Sequence, residues 1–216
     1  EFYLELGQAL EAAGERDKAI ATYEEAVRRS PAGFALRKLG SALRESGQLP
    51  RAAEMLSRAV QVQAGEARNW LELGLLESAR GRKPDAIAAL RKSVELDPDL
   101  DSSYTSLGSV LAETGDTAGA EAAFRSALRI YPDSAEASAN LALLLGGRND
   151  LQQSAYYFER SLLREPNAAM ARCNYGIILA RMERYADAQR QLELAVRSDP
   201  ALAEAHDVLG TLLERK

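Results

Sequence analysis

The opening residues alternate apolar and polar positions with a helical period. Tyr3, Leu6, Gly7 and Leu10 fall on one face at spacings of three and four. Gly14 follows, a residue free to take positive φ, and predicts the end of that helix. Asp17 and Lys18 open a second run whose inner face is Ala19, Ile20, Tyr23, Ala26 and Val27, and Ser30-Pro31 stops it. The predicted unit is a hairpin of two helices of roughly 13 residues each. Gly7 and Ala19 lie where the helices would cross. Their small side chains let the backbones approach, and Tyr23 fills the space beside the crossing.

The pattern then recurs. Glycine stands at Gly40, Gly74, Gly108, Gly176 and Gly210, at intervals of 34, 34, 68 and 34, with Ala142 holding the middle of the longest. Ala52, Ala86, Ala120, Ser154 and Ala188 keep the same beat, as do Pro98, Pro132, Pro166 and Pro200. Such a period marks one supersecondary unit stacked on copies of itself. The fold class predicted is all-α, an α-α superhelix built of antiparallel helix pairs. Six repeats are expected at 1–32, 33–66, 67–100, 101–134, 135–168 and 169–202, with one further helix at 203–216, together a single solenoid. The chain opens inside a repeat, which suggests a fragment of a longer protein.

Repeat five departs most. Ala142 replaces the glycine, Ser154 replaces the alanine, and Gly146-Gly147 sit where helix should continue. The pair would cost about 1 kcal/mol per residue inside a helix, so it reads as an early helix end. Asn149 takes the slot of Gly14 and Gly115 and tolerates the left-handed region. Glu183 holds that slot in repeat six, where no left-handed cap is expected. His206 occupies the slot of Tyr3, Trp70 and Tyr104 and reads as a packing residue.

Trp70, Leu73, Gly74, Gly81, Ala86, Leu90 and Pro98, then Tyr104, Leu107, Gly108, Leu111, Gly115, Ala120, Phe124, Ala127 and Pro132, spell one motif twice. The motif resembles the tetratricopeptide repeat along the whole chain. The resemblance implies that first helices line a concave face and second helices form the back. It also implies a protein–protein interaction scaffold that binds a peptide segment of a partner in the concave groove.

Three features mark the free positions of the first helices. Arg37, Lys38 and Arg44 form a basic cluster able to receive a carboxylate, or a solvated face paired with Glu5 or Glu45. Leu71 and Leu75, then Leu143, Cys173 and Ile177, are apolar where solvent is expected, unless neighbouring helices cover them. Asn140 and Asn174 hold equivalent positions, and an amide both donates to a carbonyl and accepts from an N–H. This gives some likeness to the tetratricopeptide region of O-GlcNAc transferase, whose asparagines grip a peptide backbone. It raises an alternative: a substrate-presenting arm of a larger enzyme such as a glycosyltransferase. Glu5, Lys38, Glu72, Ser106 and Val208 stand where further asparagines would extend the ladder. The carboxylate-clamp pattern is not matched, because Leu4 and Gln8 occupy its first pair.

Composition narrows the classes. Acids and bases are mixed along a chain of net charge −5, so no stretch is basic enough to follow a phosphate backbone and nucleic acid is excluded as a partner. No apolar run approaches the ~20 residues of a membrane span, so no membrane contact by this fragment is expected. One histidine and one cysteine, far apart, make neither a metal site nor a Cys–His pair. Gly146-Gly147-Arg148 lacks the spacing of a phosphate loop. No catalytic residue, metal or cofactor is expected, and the chain reads as no enzyme. Arginine outnumbers lysine 22 to 5, which points to a GC-rich bacterial source, with cytoplasm or periplasm left open. A third alternative is a self-assembly module. The last helix carries Val208, Leu209, Leu212 and Leu213 without a second helix to cover them, and could stack end to end on Phe2 and Leu6 of another copy. The expected state is mainly a monomer.

Overall fold

The computed structural model describes residues 2–214; Glu1, and Arg215 and Lys216 of the expected last helix, lie outside the described residues. Among the described residues there are thirteen α-helices and no strand. The first helices of the hairpins are α1 (Phe2–Ala12), α3 (Gly33–Glu45), α5 (Ala67–Ala79), α7 (Asp101–Glu113), α9 (Ala135–Gly147) and α11 (Ala169–Arg181). Their second helices are α2 (Arg16–Arg29), α4 (Leu49–Val62), α6 (Lys83–Leu96), α8 (Thr117–Ile130), α10 (Leu151–Arg164) and α12 (Tyr185–Ser198), and α13 (Ala203–Glu214) follows.

One compact unit runs to Val110 and a second begins at Leu111. In the first, each helix from α1 to α6 packs on the next, and α3 also packs on α5. Tyr23, Leu39, Leu43, Leu56 and Leu76 fill its core with Ala19 and Ala52 at the crossings. In the second, α8 to α13 pack in the same succession, and α11 touches both α9 and α13. Phe158, Tyr175, Leu179 and Leu192 centre that core with Ala142 and Ala188.

The small residues at the crossings are required by distance. A Cβ on Gly40 would lie 2.5 Å from Leu56 Cγ, one on Gly74 2.6 Å from Leu90 Cγ, and one on Gly176 2.8 Å from Leu192 Cγ. In each case the obstacle is the branch point of a buried leucine, which has nowhere to move in a close-packed core. Two aromatic members of these cores also carry a polar tip. The Tyr23 hydroxyl donates to Glu11 Oε2 at 2.8 Å, and that of Tyr175 to the Glu159 carboxylate. Burial first, and the facing carboxylate second, push both phenols above their ordinary range.

The turns inside the hairpins share one geometry. Gln48, Arg82, Asp116, Asp150 and Arg184 each donate N–H to the carbonyl five residues back, at 2.8–3.0 Å. The preceding residue is left-handed every time: Gly47, Gly81, Gly115, Asn149 and Glu183. Glu183, at φ 59°, therefore corrects the expectation that its slot would lack a left-handed cap. The bond from Arg184 to Leu179 imposes the conformation, and the helices on either side are held by their cores.

Gly146-Gly147 is a second correction. α9 continues through Gly147 and is as long as α3, α5, α7 and α11. Gly146 is there for space: its Cβ would meet Ile178 Cδ1 at 2.7 Å, whereas a Cβ on Gly147 would meet nothing within 4 Å. His206 is the third. It is exposed, and its Nε2 lies 3.0 Å from the Pro200 carbonyl. Trp70 Nε1 reaches the Ala64 carbonyl at 2.7 Å and Arg172 Nε the Pro166 carbonyl at 2.7 Å, from the same slot. What this position supplies in these three helices is a ring or guanidinium nitrogen that engages the carbonyl left open before the helix.

Candidate functional site

The residues singled out from the sequence fall into two groups, one in each unit. Arg37, Lys38 and Arg44 lie on α3, with Leu71 and Leu75 on α5. Asn140 and Leu143 lie on α9, with Asn174 and Ile177 on α11.

In the first unit two of the basic residues are engaged with acids. Arg44 Nη2 lies 3.4 Å from both Glu45 Oε1 and Glu72 Oε2, and Lys38 Nζ lies 3.9 Å from Glu11 Oε2. Arg37 stacks over the Phe34 ring at 4.9 Å, and burial pulls its pKa below the ordinary value against the raising effect of Glu72 and Glu66. Arg44 and Lys38 thus face acids already, whereas Arg37 has the Phe34 ring and a buried Nε without a hydrogen-bond partner among the described residues. Leu75 is half-buried. Leu71 is 8% exposed and belongs to the packing.

Cys173, expected among the solvent-facing apolar residues, is fully buried as well. It shares a repeat position with Leu71, and so does Thr105, which is also buried. That position lies on the flank of a first helix that a neighbour covers; Cys173 belongs to the same core cluster as Ala205 and Leu212 of α13. Burial, with a smaller effect of Glu204, raises the Cys173 thiol to about 11, the opposite of what a nucleophilic cysteine needs. No group of three or more histidine, cysteine or acidic residues able to hold a metal occurs among the described residues. No helix among them is long and apolar enough to cross a membrane.

The second unit offers a surface with an opening. Leu143 is 48% exposed on α9. Ile177 forms one wall of a cleft of about 400 Å³, and the cleft continues along Ala180, Tyr185, Val208, Thr211 and Leu212. Arg181 and Asp207 supply its polar rim. Arg181 is fixed there by bonds to the Gly146 carbonyl at 2.8 Å and Asn149 Oδ1 at 3.0 Å. Asn140 and Asn174, both half-buried, stand on the same two helices as Leu143 and Ile177. A cleft with an apolar wall and a polar rim can bury an apolar side chain of a ligand.

Sequence reasoning missed Tyr185, Val208, Thr211 and Leu212 as cleft residues. It placed Val208, Leu209 and Leu212 on an uncovered face, but Leu212 is buried, and Val208 and Leu209 pack on the second core. Leu213 alone of the four is exposed. The available signal was repeat register: Thr211 and Ile177 hold the same first-helix position, one period apart.

Family models described as tetratricopeptide repeat match residues 1–32, 37–101 and 101–144, more than half of the chain. No curated protein matches it. Among solved structures, it is similar to a chain of the APC/C hetero-tetramer Cut9-Hcn1, with TM-score 0.89 and 18% identity over 98% of this chain and 42% of that one. It thus spans less than half the length of that chain. The pilF protein of Pseudomonas aeruginosa gives TM-score 0.84 and 18% identity over 97% and 96% of the two chains. YrrB, titled a TPR protein with an unusual peptide-binding site, gives 0.65 and 18% over 86% and 96%. These likenesses place the fold in the all-α, α-α superhelix class.

Proposed function

Because the chain belongs to the tetratricopeptide repeat family, we propose that it is a protein-interaction scaffold rather than a catalyst, and that a peptide segment of a partner lies across α9, α11 and α13. The observation that carries this reading is the cleft walled by Ile177, Val208 and Leu212, with the half-exposed Leu143 on the adjoining helix. An apolar side chain of the peptide fills the cleft, and Asn140 and Asn174 meet its backbone. The paired cations of the first unit contribute less, because a ligand carboxylate would have to displace Glu72 from Arg44.

The test uses peptides selected on the protein from a random phage-displayed library and synthesised with a fluorescent label. Ile177→Glu and Leu143→Glu should each weaken binding about tenfold or more, as loss of a buried anchor does, and Asn174→Ala by a smaller factor. Equal affinity of all three variants and the parent would overturn the reading.

The equivalent placement of Asn140 and Asn174 also suits a substrate-presenting arm of a larger enzyme. A catalytic domain in the same polypeptide would favour that reading, and its absence from the full-length protein would remove it.

A further inference from the structure

The outward face of α10 differs from that of every other second helix. Leu163 is 78% exposed, and at its position the other second helices carry Arg28, Gln61, Glu95, Arg129 and Arg197. Tyr156 is 52% exposed, and its counterparts are Ala21, Glu54, Ala88, Ala122 and Arg190. Just beyond α8 stands Tyr131, 53% exposed, where Ser30, Gln63, Asp97, Glu165 and Asp199 stand elsewhere. Large apolar groups thus replace small or polar ones at three positions that the repeat leaves in water, all in one hairpin and its approach. Packing asks for none of them.

Local contacts join the three positions into one surface. Arg160 donates to the Pro132 carbonyl, next to Tyr131, and its guanidinium lies over the Tyr156 ring at 5.9 Å from the centroid. Arg164 pairs with Asp133. Pro132, Asp133, Arg160, Leu163 and Arg164 line a shallow cleft of about 320 Å³. A carbonyl and a ring hold Arg160, and both are neutral. Among the described residues no acid pairs with Arg160, and the Asp133 carboxylate in the same cleft is taken by Arg164, so the Arg160 charge is left to attract an acid, unlike that of Arg44 in the first unit. An exposed leucine and tyrosine around an uncompensated guanidinium have the makeup of an interface centre, where aromatic residues and arginine are enriched.

We propose that this face of α10 is a second docking surface, for a segment of another protein that carries an aliphatic or aromatic side chain beside a carboxylate. The apolar side chain sits against Tyr156 and Leu163, and the carboxylate meets Arg160 in a charge-assisted bond. The surface is separate from the first-helix face and does not depend on it.

Two short labelled peptides test this, with the same leucine and phenylalanine positions but glutamate between them in one and lysine in the other. Fluorescence anisotropy should show the glutamate peptide binding about tenfold or more tightly than the lysine peptide, with Leu163→Glu and Arg160→Glu each weakening it by a similar factor. Gln61→Glu, at the position of Leu163 in α4, should leave binding unchanged. Leu163 is so exposed that its variant keeps the fold, which circular dichroism checks; if Arg160→Glu loses helical signal, Arg160→Gln replaces it. Equal binding of both peptides, or indifference to Leu163→Glu, overturns the proposal. So does loss of binding in Leu143→Glu but not in Leu163→Glu, which would instead leave the first-helix reading standing. Sedimentation showing a dimer that Leu163→Glu dissociates would mean that a second copy occupies the surface, and would equally overturn it.

Discussion

The Ser154 hydroxyl donates a 2.7 Å hydrogen bond to the Ala142 carbonyl, and both atoms are buried at the crossing of α9 and α10. These are the two residues by which the fifth hairpin departs from the glycine and alanine of the others, so the departures form one contact. The hydroxyl that alanine lacks finds its acceptor on the neighbouring helix. Ser154→Ala should therefore lower stability by about 1 kcal/mol, read as a shift in the urea midpoint. An unchanged midpoint would mean the bond contributes nothing net.

The crossing glycines and the uncovered one predict opposite signs for the same substitution. Gly40→Ala drives a Cβ against Leu56 Cγ and should destabilise by about 1–3 kcal/mol. Gly210→Ala meets nothing within 4 Å in α13 and should stabilise by about 1 kcal/mol through helix propensity alone. Gly147→Ala should follow Gly210→Ala to a smaller degree, because Gly147 closes α9, and Gly146→Ala should cost less than Gly40→Ala, because the Ile178 Cδ1 methyl it meets is the movable end of a side chain. Thermal unfolding of the four variants decides it; a shared sign would refute the packing account.

Glu183 is a non-glycine residue held at φ 59°. Glu183→Gly should raise stability by about 1 kcal/mol, the cost of the left-handed region to a side chain less the entropy that glycine adds to the unfolded chain. Asn149→Gly should gain less, since asparagine tolerates this region better. A loss of stability in Glu183→Gly would show that the glutamate has a compensating role.

The sequence makes the hairpins legible because glycine, alanine and proline mark crossing and turn through size and φ, properties each residue carries by itself. Glu183 was not legible: a hydrogen bond between its neighbours sets its conformation, and its own identity argues against it. Leu71 and Cys173 were misplaced for a related reason. Helical periodicity gives the face a helix turns to its own partner, but not the flank it turns to the next hairpin. The cleft beside Ile177 needed three helices at once, α11, α12 and α13, and only the first was read as a ligand surface.

Tyr175 and Tyr23 make alkaline stability a probe of the two cores. Each phenol is raised above its ordinary value near 10, so the folded chain keeps a proton that the unfolded chain releases. That stabilisation is fully present below pH 10 and is lost as pH rises above it. The melting temperature should fall between pH 9 and pH 11, and Tyr175→Phe should make the fall shallower. Identical pH profiles for the variant and the parent would contradict the assignment.

The central claim is that a partner peptide occupies the first-helix face of α9, α11 and α13, and methyl NMR reads that face directly. Titration of the selected peptide into protein labelled at isoleucine and leucine methyls should shift Ile177, Leu143 and Leu212 together, along one saturation curve. Shifts confined to other methyls, with Ile177 and Leu143 unmoved at saturation, would contradict the account.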